Sequence, residues 1–186
     1  DGIVLAADKR VTLGGMLVVH KKFDKVYKIT DNIVMTVAGS VSEVQLIIKL
    51  LQAELKLKII RTSQQPTVNE AVNLLGTIVY QNIRKFSPIL AITGFIVGGV
   101  DDEGFHLYEI GVDGSLMKHD DYYADGSGFM MALGVFETLY RKDMKINEGV
   151  TLAVKAINAA IQRDTASGEG VDVWTVTKSG AQKVLT

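Results

Sequence analysis

The sequence predicts an α+β fold in which two mainly antiparallel sheets pack face to face and a pair of helices covers each outer face, a four-layer αββα sandwich. Short segments rich in β-branched residues occur at the start, in the middle and at the end of the 186 residues. Between these groups lie two pairs of longer segments with helical periodicity. No G-x-G-x-x-G motif follows any strand, which argues against a parallel dinucleotide-binding sheet. We therefore predict a single domain over residues 1–186.

The first strand, predicted over residues 3–7, is apolar throughout and runs into Asp8. A short apolar run with β-branched residues is typical of a strand buried on both faces. A carboxylate at the end of such a strand needs a partner, because an unpaired buried charge is strongly destabilising. The same criteria predict further strands at residues 16–20, 25–29, 33–38, 89–100, 105–110, 116–119, 171–177 and 182–185.

Two capping-box patterns predict where the first pair of helices begins. Ser40 with Glu43 opens a helix to about residue 61, and Thr67 with Glu70 opens one to about residue 86. A second pair is predicted over residues 129–141 and from residue 147 onward. The first helix has two apolar stripes, residues 44, 47, 48, 51 and 55 and residues 46, 50, 53, 57 and 60. Such a helix is either enclosed in a core or shared with a neighbouring subunit.

Composition excludes several classes of function. A net charge of −1 gives no electrostatic case for binding nucleic acid or an anionic membrane. The absence of cysteine excludes disulfides and thiolate catalysis, and the three histidines lack metal-ligand spacing, so we expect no metal. Residues 89–100, the longest apolar run, are too few to span a bilayer. No signal peptide is evident, and we expect a cytoplasmic protein.

Hydrophobic residues make up 47% of the chain, and the mean hydropathy is +0.21. Both values are high for a monomer and indicate buried contacts between subunits. The sequence begins inside a predicted strand without Met and ends abruptly, so we expect it to lack residues at both ends.

The candidate site residues are small polar or charged residues and a glycine at the ends of predicted elements: Asp8, Lys25, Gly39, Ser127, Asp164 and Ser167. Each also has a purely structural interpretation, such as a pairing of Asp8 with Lys9 or Arg10. The surroundings of Ser127 lack the outer glycines of a G-x-S-x-G nucleophile elbow. His20 is interpreted as an ordinary strand residue, and residues 101–103 as a charged turn.

Five segments in order carry a resemblance to a known family: residues 1–12, 25–29, 35–40, 126–128 and 163–168. Together they resemble the proteasome β subunits, most closely those of the archaeal 20S type, within the N-terminal nucleophile (Ntn) hydrolases. The resemblance covers essentially the whole chain and implies the αββα Ntn-hydrolase fold.

The resemblance also implies a threonine endopeptidase. Its nucleophile would be a threonine about one strand length before Asp1, exposed by removal of a propeptide and activated by its own α-amino group. By similarity, Lys25 would favour the threonine alkoxide and Asp8 would pair with Lys25. Ser127, Asp164 and Ser167 would hold the terminal amine. The backbone N–H of Gly39 would bind the oxyanion.

An extended peptide substrate would lie between Thr12 and Gly39. The resemblance implies substrate-binding roles for Val11, Thr12, Val37, Ala38, Gly39 and Val41. Three of these, Val11, Val37 and Val41, match the first specificity pocket, and their apolar character predicts cleavage after hydrophobic residues. The implied partners are β subunits in a heptameric ring, α-subunit rings, an ATP-dependent regulatory unfoldase and unfolded protein substrates. No cofactor is implied.

The sequence departs from the family pattern in places. Phe129 follows the Gly-Ser-Gly motif where relatives often have a small residue, and Glu169 interrupts a more usual pair of glycines. Three other interpretations remain open at this point: a non-catalytic ring subunit, a simpler bacterial peptidase of the HslV type, and an unrelated oligomeric binding protein. The retained Asp8 and Lys25 argue against the first.

Overall fold

A computed structural model describes all 186 residues and contains four helices and ten strands. In chain order the elements are β1 (Ile3–Asp8), β2 (Val11–Leu13), β3 (Leu17–His20), β4 (Val26–Lys28), β5 (Ile33–Gly39), α1 (Val41–Thr62), α2 (Val68–Ile83), β6 (Thr93–Asp101), β7 (Gly104–Ile110), β8 (Leu116–His119), α3 (Phe129–Leu139), α4 (Ile146–Ile161), β9 (Val171–Thr177) and β10 (Gly180–Leu185). No helix combines the length and the hydropathy needed to cross a membrane.

The strands form two main sheets and one small hairpin. One sheet has the order β4-β5-β6-β7-β8 and the other the order β1-β9-β10, while β2 and β3 pair only with each other. All pairings are antiparallel. The sequence predicts two sheets, and the hairpin of β2 and β3 is an additional third one.

The packing gives the predicted four layers. A cluster of 16 buried side chains joins α1 and α2 to the outer face of the five-stranded sheet. A second cluster, which includes Leu5 of β1, Val34 of β5 and Val176 of β9, lies between the two sheets. On the far side α4 packs against β1 and β9, and α3 packs against α4. The αββα prediction is therefore confirmed.

Strand β1 forms the edge of its sheet. It pairs with β9 along its whole length, from Ile3 opposite Val176 to Asp8 opposite Val171, and with no other strand. Leu5 and Ala7 are buried between the sheets, whereas Val4 and Ala6 are only partly buried. Burial is therefore greater on the face of Leu5 and Ala7 than on the opposite face, whereas the sequence predicts a strand buried on both faces.

The two capping-box predictions have opposite outcomes. At α2 the box is present: Glu70 N–H donates to Thr67 Oγ1 (3.2 Å) and Thr67 N–H donates to Glu70 Oε2 (2.8 Å). At α1 the prediction is wrong, because the Glu43 carboxylate accepts instead from the side-chain amide of Asn82 (2.7 Å) on α2. Asn82 is buried, and its amide needs an acceptor more than the exposed helix end does.

Some predicted boundaries also differ from the structure. The strand predicted from residue 89 begins at Thr93, and Ile89 and Leu90 are exposed. Thr93 lies opposite Gly39, the last residue of β5, so the preceding residues have no strand to pair with. The helices α2 and α3 end at Ile83 and Leu139, a few residues earlier than predicted.

Candidate active site

Asp8, at the end of β1, has three hydrogen-bond donors around its carboxylate. Lys25, just before β4, places its Nζ 2.7 Å from Asp8 Oδ1. Asp8 Oδ2 accepts from the backbone N–H groups of Arg10 (3.0 Å) and Gly168 (2.9 Å). The side chains of the two other candidate partners pair elsewhere, Lys9 with Asp172 at 3.0 Å and Arg10 with Glu169 at 3.2 Å. The buried carboxylate is therefore fully satisfied, and its one ionic partner is Lys25.

A second cluster of polar groups forms where the loop after α4 meets the start of α3. Asp164 Oδ2 accepts from the hydroxyls of Ser127 and Ser167, both at 2.6 Å. Burial raises the pKa of the Asp164 carboxyl, but these two donors, the N–H of Ala166 and the charge of Lys25 outweigh burial and hold the pKa below its usual value. The two hydroxyls are thus oriented by a carboxylate that stays ionised.

Gly128 makes this arrangement possible. A Cβ at position 128 would lie 2.7 Å from the Cβ of Ala160 and 3.2 Å from Ser167 Oγ. A side chain there would therefore force the segment that carries Ser127 away from α4 and from Ser167. Phe129, the neighbouring departure from the family pattern, lies at the partly exposed start of α3.

Gly39 occupies a position that only glycine fits. Its φ is +107°, which L-residues rarely adopt, and a Cβ there would lie 2.2 Å from the carbonyl oxygen of Ile92. This constraint explains why the chain has glycine at the end of β5, whatever the role of its N–H group.

One cavity of about 560 Å³ brings the candidate residues together. It is bounded by β1, β5 and α4. The α4 residues that line it are mostly alanine. Of the six candidate catalytic residues, five line it, and Asp164 lies behind the two serines. The sequence-predicted residues on its wall are Asp8, Lys25, Gly39, Ser127, Ser167, Val11, Thr12, Val37, Ala38 and Val41.

The candidate specificity residues surround this cavity from two sides. Val37 is buried near the end of β5, and Val41 is half-buried in the first turn of α1. Val11 and Thr12 are half-buried on β2. The three valines make this part of the wall apolar.

The three histidines have structural surroundings outside the cavity lining. His20 is exposed, His106 is buried against Asp101 (2.8 Å), and His119 contacts Glu109 (3.3 Å). None of them lines the cavity wall, and no group of three or more metal-ligating side chains is found in the structure.

Arg10 and Gly168 were not among the candidate residues, although both lie in motifs of the sequence. Gly168 acts through its N–H, and Arg10 through its N–H and through a side chain that reaches the carbonyl of Thr165 (3.0 Å) and Glu169 (3.2 Å). Backbone donors leave no signal in residue type. In the sequence, the only indication that Arg10 contributes to the site is its position two residues after Asp8.

Comparison with known proteins identifies the family. The proteasome subunit family matches residues 1–176 of the chain. A proteasome subunit beta of Ferroglobus placidus is 40% identical over 178 residues, which are 96% of this chain and 82% of that protein. A proteasome subunit beta 2 of Thermofilum pendens is 41% identical over 180 residues, 97% of this chain and 85% of that protein.

A proteasome subunit beta of Nanoarchaeum equitans is 36% identical over 185 residues, covering 100% of this chain and 92% of that protein. These alignments cover 96–100% of this chain and 82–92% of the relatives. The chain therefore belongs to the proteasome subunit family, as a core subunit related to archaeal β subunits.

Proposed function

We propose that this subunit is a threonine-type endopeptidase that cleaves unfolded polypeptides inside a ring-shaped chamber. The observation that carries the proposal is the pairing of Asp8 with Lys25 on the wall of the cavity that Ser127, Ser167 and Gly39 also line. A subunit with only a scaffolding role needs no such buried ion pair, which costs desolvation free energy.

In this proposal the nucleophile is a threonine on the N-terminal side of Asp1. The ammonium of Lys25, held by Asp8, stabilises the threonine oxygen as it loses its proton. The hydroxyls of Ser127 and Ser167, both oriented by Asp164, hold the α-amino group that accepts this proton. The N–H of Gly39 stabilises the oxyanion that forms on the substrate carbonyl.

The free edge of β1 supports this placement of the nucleophile. The side chains of Val4 and Ala6 on this strand line the same cavity as Lys25. An unpaired strand edge favours the addition of another strand, because its N–H and C=O groups need partners. An extended segment preceding Asp1 and paired with β1 would bring a residue near its start to the cavity.

The substrate is proposed to bind as an added extended chain between Thr12 and Gly39. The apolar wall formed by Val11, Val37 and Val41 favours a large hydrophobic side chain before the cleaved bond. Each such side chain gains roughly 1.5–3 kcal/mol on burial, which is enough to dominate the preference.

Ring assembly is supported by the outer stripe of α1. Its apolar residues Leu46, Leu50, Leu57 and Ile60 are 41–68% exposed, while the inner stripe is buried in the core. We propose that such faces pack against other subunits in heptameric β rings stacked on α rings, in the cytoplasm, with an ATP-dependent unfoldase supplying substrates.

The proposal is tested on the full-length subunit assembled with α subunits. We expect the mature subunit to begin with threonine by intact mass, and a threonine-directed epoxyketone to label it. We also expect hydrolysis of peptides with a hydrophobic residue before the cleaved bond. Lys25→Ala should abolish hydrolysis and labelling, whereas Lys28→Ala, which removes an exposed lysine paired with Asp31, should preserve both.

A mature chain beginning with another residue, in an assembled particle that no epoxyketone labels, would establish the non-catalytic ring subunit instead. Strong preference for acidic over hydrophobic residues would leave the peptidase assignment intact but refute the specificity.

A further inference from the structure

Glu169 has a backbone conformation that its residue type disfavours. Its φ is +69°, and Ser63 is the only other non-glycine residue with positive φ. Its neighbour Gly170 has φ +105°. Glycine would adopt the backbone at position 169 without strain, so the presence of glutamate there needs a reason that lies in its side chain.

That side chain binds Arg10. Glu169 Oε1 lies 3.2 Å from Arg10 Nη2, and both side chains are about one-quarter exposed, at 26% and 24%. Arg10 Nη1 donates to the carbonyl oxygen of Thr165 at 3.0 Å. The guanidinium thus joins the two ends of the loop formed by residues 165–169.

The middle of this loop packs directly on the guanidinium. A Cβ at Gly168 would lie 2.4 Å from Arg10 Cζ, so the plane of the guanidinium rests against the backbone of Gly168. The N–H of Gly168 donates to Asp8 Oδ2, and its carbonyl oxygen accepts from Lys9 N–H at 3.0 Å. The loop therefore delivers one of the three donors that hold the Asp8 carboxylate.

We propose that Glu169 is a positioning residue for the Asp8–Lys25 pair: it anchors Arg10 under the 165–169 loop, and this fixes the Gly168 N–H against Asp8. The inference rests on the proposed peptidase function, in which Lys25 assists the nucleophile. Neither Glu169 nor the side chain of Arg10 touches the reacting atoms; both act through Gly168 and Asp8.

The test compares four single variants and one double variant in the assembled particle. The single variants are Glu169→Gly, Glu169→Gln, Arg10→Lys and, as a control, Ser63→Gly. Glu169→Gly removes the anchor and also relieves the strained φ. Glu169→Gln keeps an acceptor oxygen for Arg10. Ser63→Gly relieves the same kind of strain at the exposed end of α1, far from the site.

We expect Glu169→Gly and Arg10→Lys each to lower kcat about three- to tenfold with KM changed less than about twofold, as loss of positioning alone predicts. Glu169→Gln should retain most of the activity. Thermal stability of Glu169→Gly should be equal to or higher than that of the parent, as for Ser63→Gly, because strain is relieved in both. The double variant Arg10→Lys/Glu169→Gly should be no worse than the poorer single variant.

Hydrogen exchange provides a readout that does not depend on activity. In Glu169→Gly and Arg10→Lys the backbone amides of residues 165–168 should exchange at least about threefold faster than in the parent, while Ser63→Gly leaves them unchanged. Unchanged exchange in Glu169→Gly would overturn the anchoring role even in a particle without peptidase activity. Faster exchange with unaltered kcat in an active particle would overturn the positioning role and leave the peptidase function standing.

Discussion

Replacing Asp8 with asparagine preserves the shape of the side chain and removes its charge. Both carboxylate oxygens are acceptors in the structure, one for Lys25 Nζ and the other for the N–H groups of Arg10 and Gly168. An amide has one acceptor oxygen and one donor NH₂ group. In either orientation the NH₂ therefore faces a donor, and no rotation of the side chain removes the conflict.

The magnitude follows from the burial of the pair. The Lys25 and Asp8 side chains are 20% and 12% exposed, so their interaction lies between an exposed pair, worth up to about 1 kcal/mol, and a buried one, whose disruption costs about 3–5 kcal/mol. We take about 2–3 kcal/mol for the loss at Asp8 and expect it to fall on the transition state, in which Lys25 acts. A loss of this size in the transition state lowers kcat/KM roughly 30- to 150-fold.

The assay is the hydrolysis of fluorogenic peptides with a hydrophobic residue before the cleaved bond, by assembled particles matched for size and subunit content. Lys9→Met is the matched control. It breaks an ion pair one residue away, and Asp172 keeps Lys183 at 3.2 Å. We expect this control to lose about 1–2 kcal/mol of stability and less than about half of its activity.

The proposed role of the Asp8 charge is refuted if Asp8→Asn retains kcat/KM within about threefold of the parent in intact particles. It is equally refuted if Lys9→Met loses as much activity as Asp8→Asn, because the loss would then follow the breaking of any ion pair on this segment.

Three further perturbations have expected outcomes. Ser167→Ala removes one donor to Asp164 and should raise the pKa of the Asp164 carboxyl. This pKa is lowered in the folded protein, so ionised Asp164 stabilises the fold at neutral pH, and that stabilisation is lost as the pH falls through the folded-state pKa. In a measurement of the free energy of unfolding against pH, the variant should complete this loss at a higher pH than the parent. Gly39→Ala forces Cβ against a backbone carbonyl at φ +107° and should cost at least about 2 kcal/mol, seen as failed assembly or a lower Tm. Asp101→Ala removes the acceptor for Val68 N–H (2.9 Å) at the start of α2, together with the partner of His106, and should cost about 2–3 kcal/mol in denaturant unfolding.

Local patterns predicted those parts of the fold that local contacts determine. The inner stripe of α1, residues 44, 47, 48, 51 and 55, is buried throughout, because helical periodicity alone selects which face meets the sheet. The capping box at Thr67 is correct for the same reason, since both of its bonds lie within four residues. The predictions that fail depend on distant partners. The capping box at α1 does not form, because the Glu43 carboxylate accepts a hydrogen bond from Asn82. The strand predicted from residue 89 begins only at Thr93, because residues 89–92 lie beyond the end of β5 and have no strand to pair with.

The candidate site shows the same division. Residue types with distinctive side chains, such as Asp8 and Lys25, could be selected from the sequence through the motifs that contain them, and the structure places their charged atoms 2.7 Å apart. The contact between Asp8 and Gly168 spans 160 residues and uses a backbone N–H, which every non-proline residue carries. No pattern of residue types could indicate it. In the sequence, Glu169 is notable only because it stands between two glycines. Its contact with Arg10 is evident only from the folded structure.

The two carboxylate oxygens of Asp8 link Lys25 to the loop that follows α4. Oδ1 is bound to Lys25, and Oδ2 is bound to the loop that carries Ser167. A displacement of that loop therefore moves the carboxylate, and with it the ammonium, while a change at Lys25 alters the charge that the loop amide faces. In the proposed mechanism Lys25 assists the threonine oxygen and Ser167 holds the threonine amine. The Asp8 carboxylate therefore sets the positions of both Lys25 and Ser167 relative to the threonine. For this reason the effects of substitutions at Lys25 and Gly168 on the free energy of unfolding should be non-additive. The effects of substitutions at Lys25 and at the distant Ser63 should add.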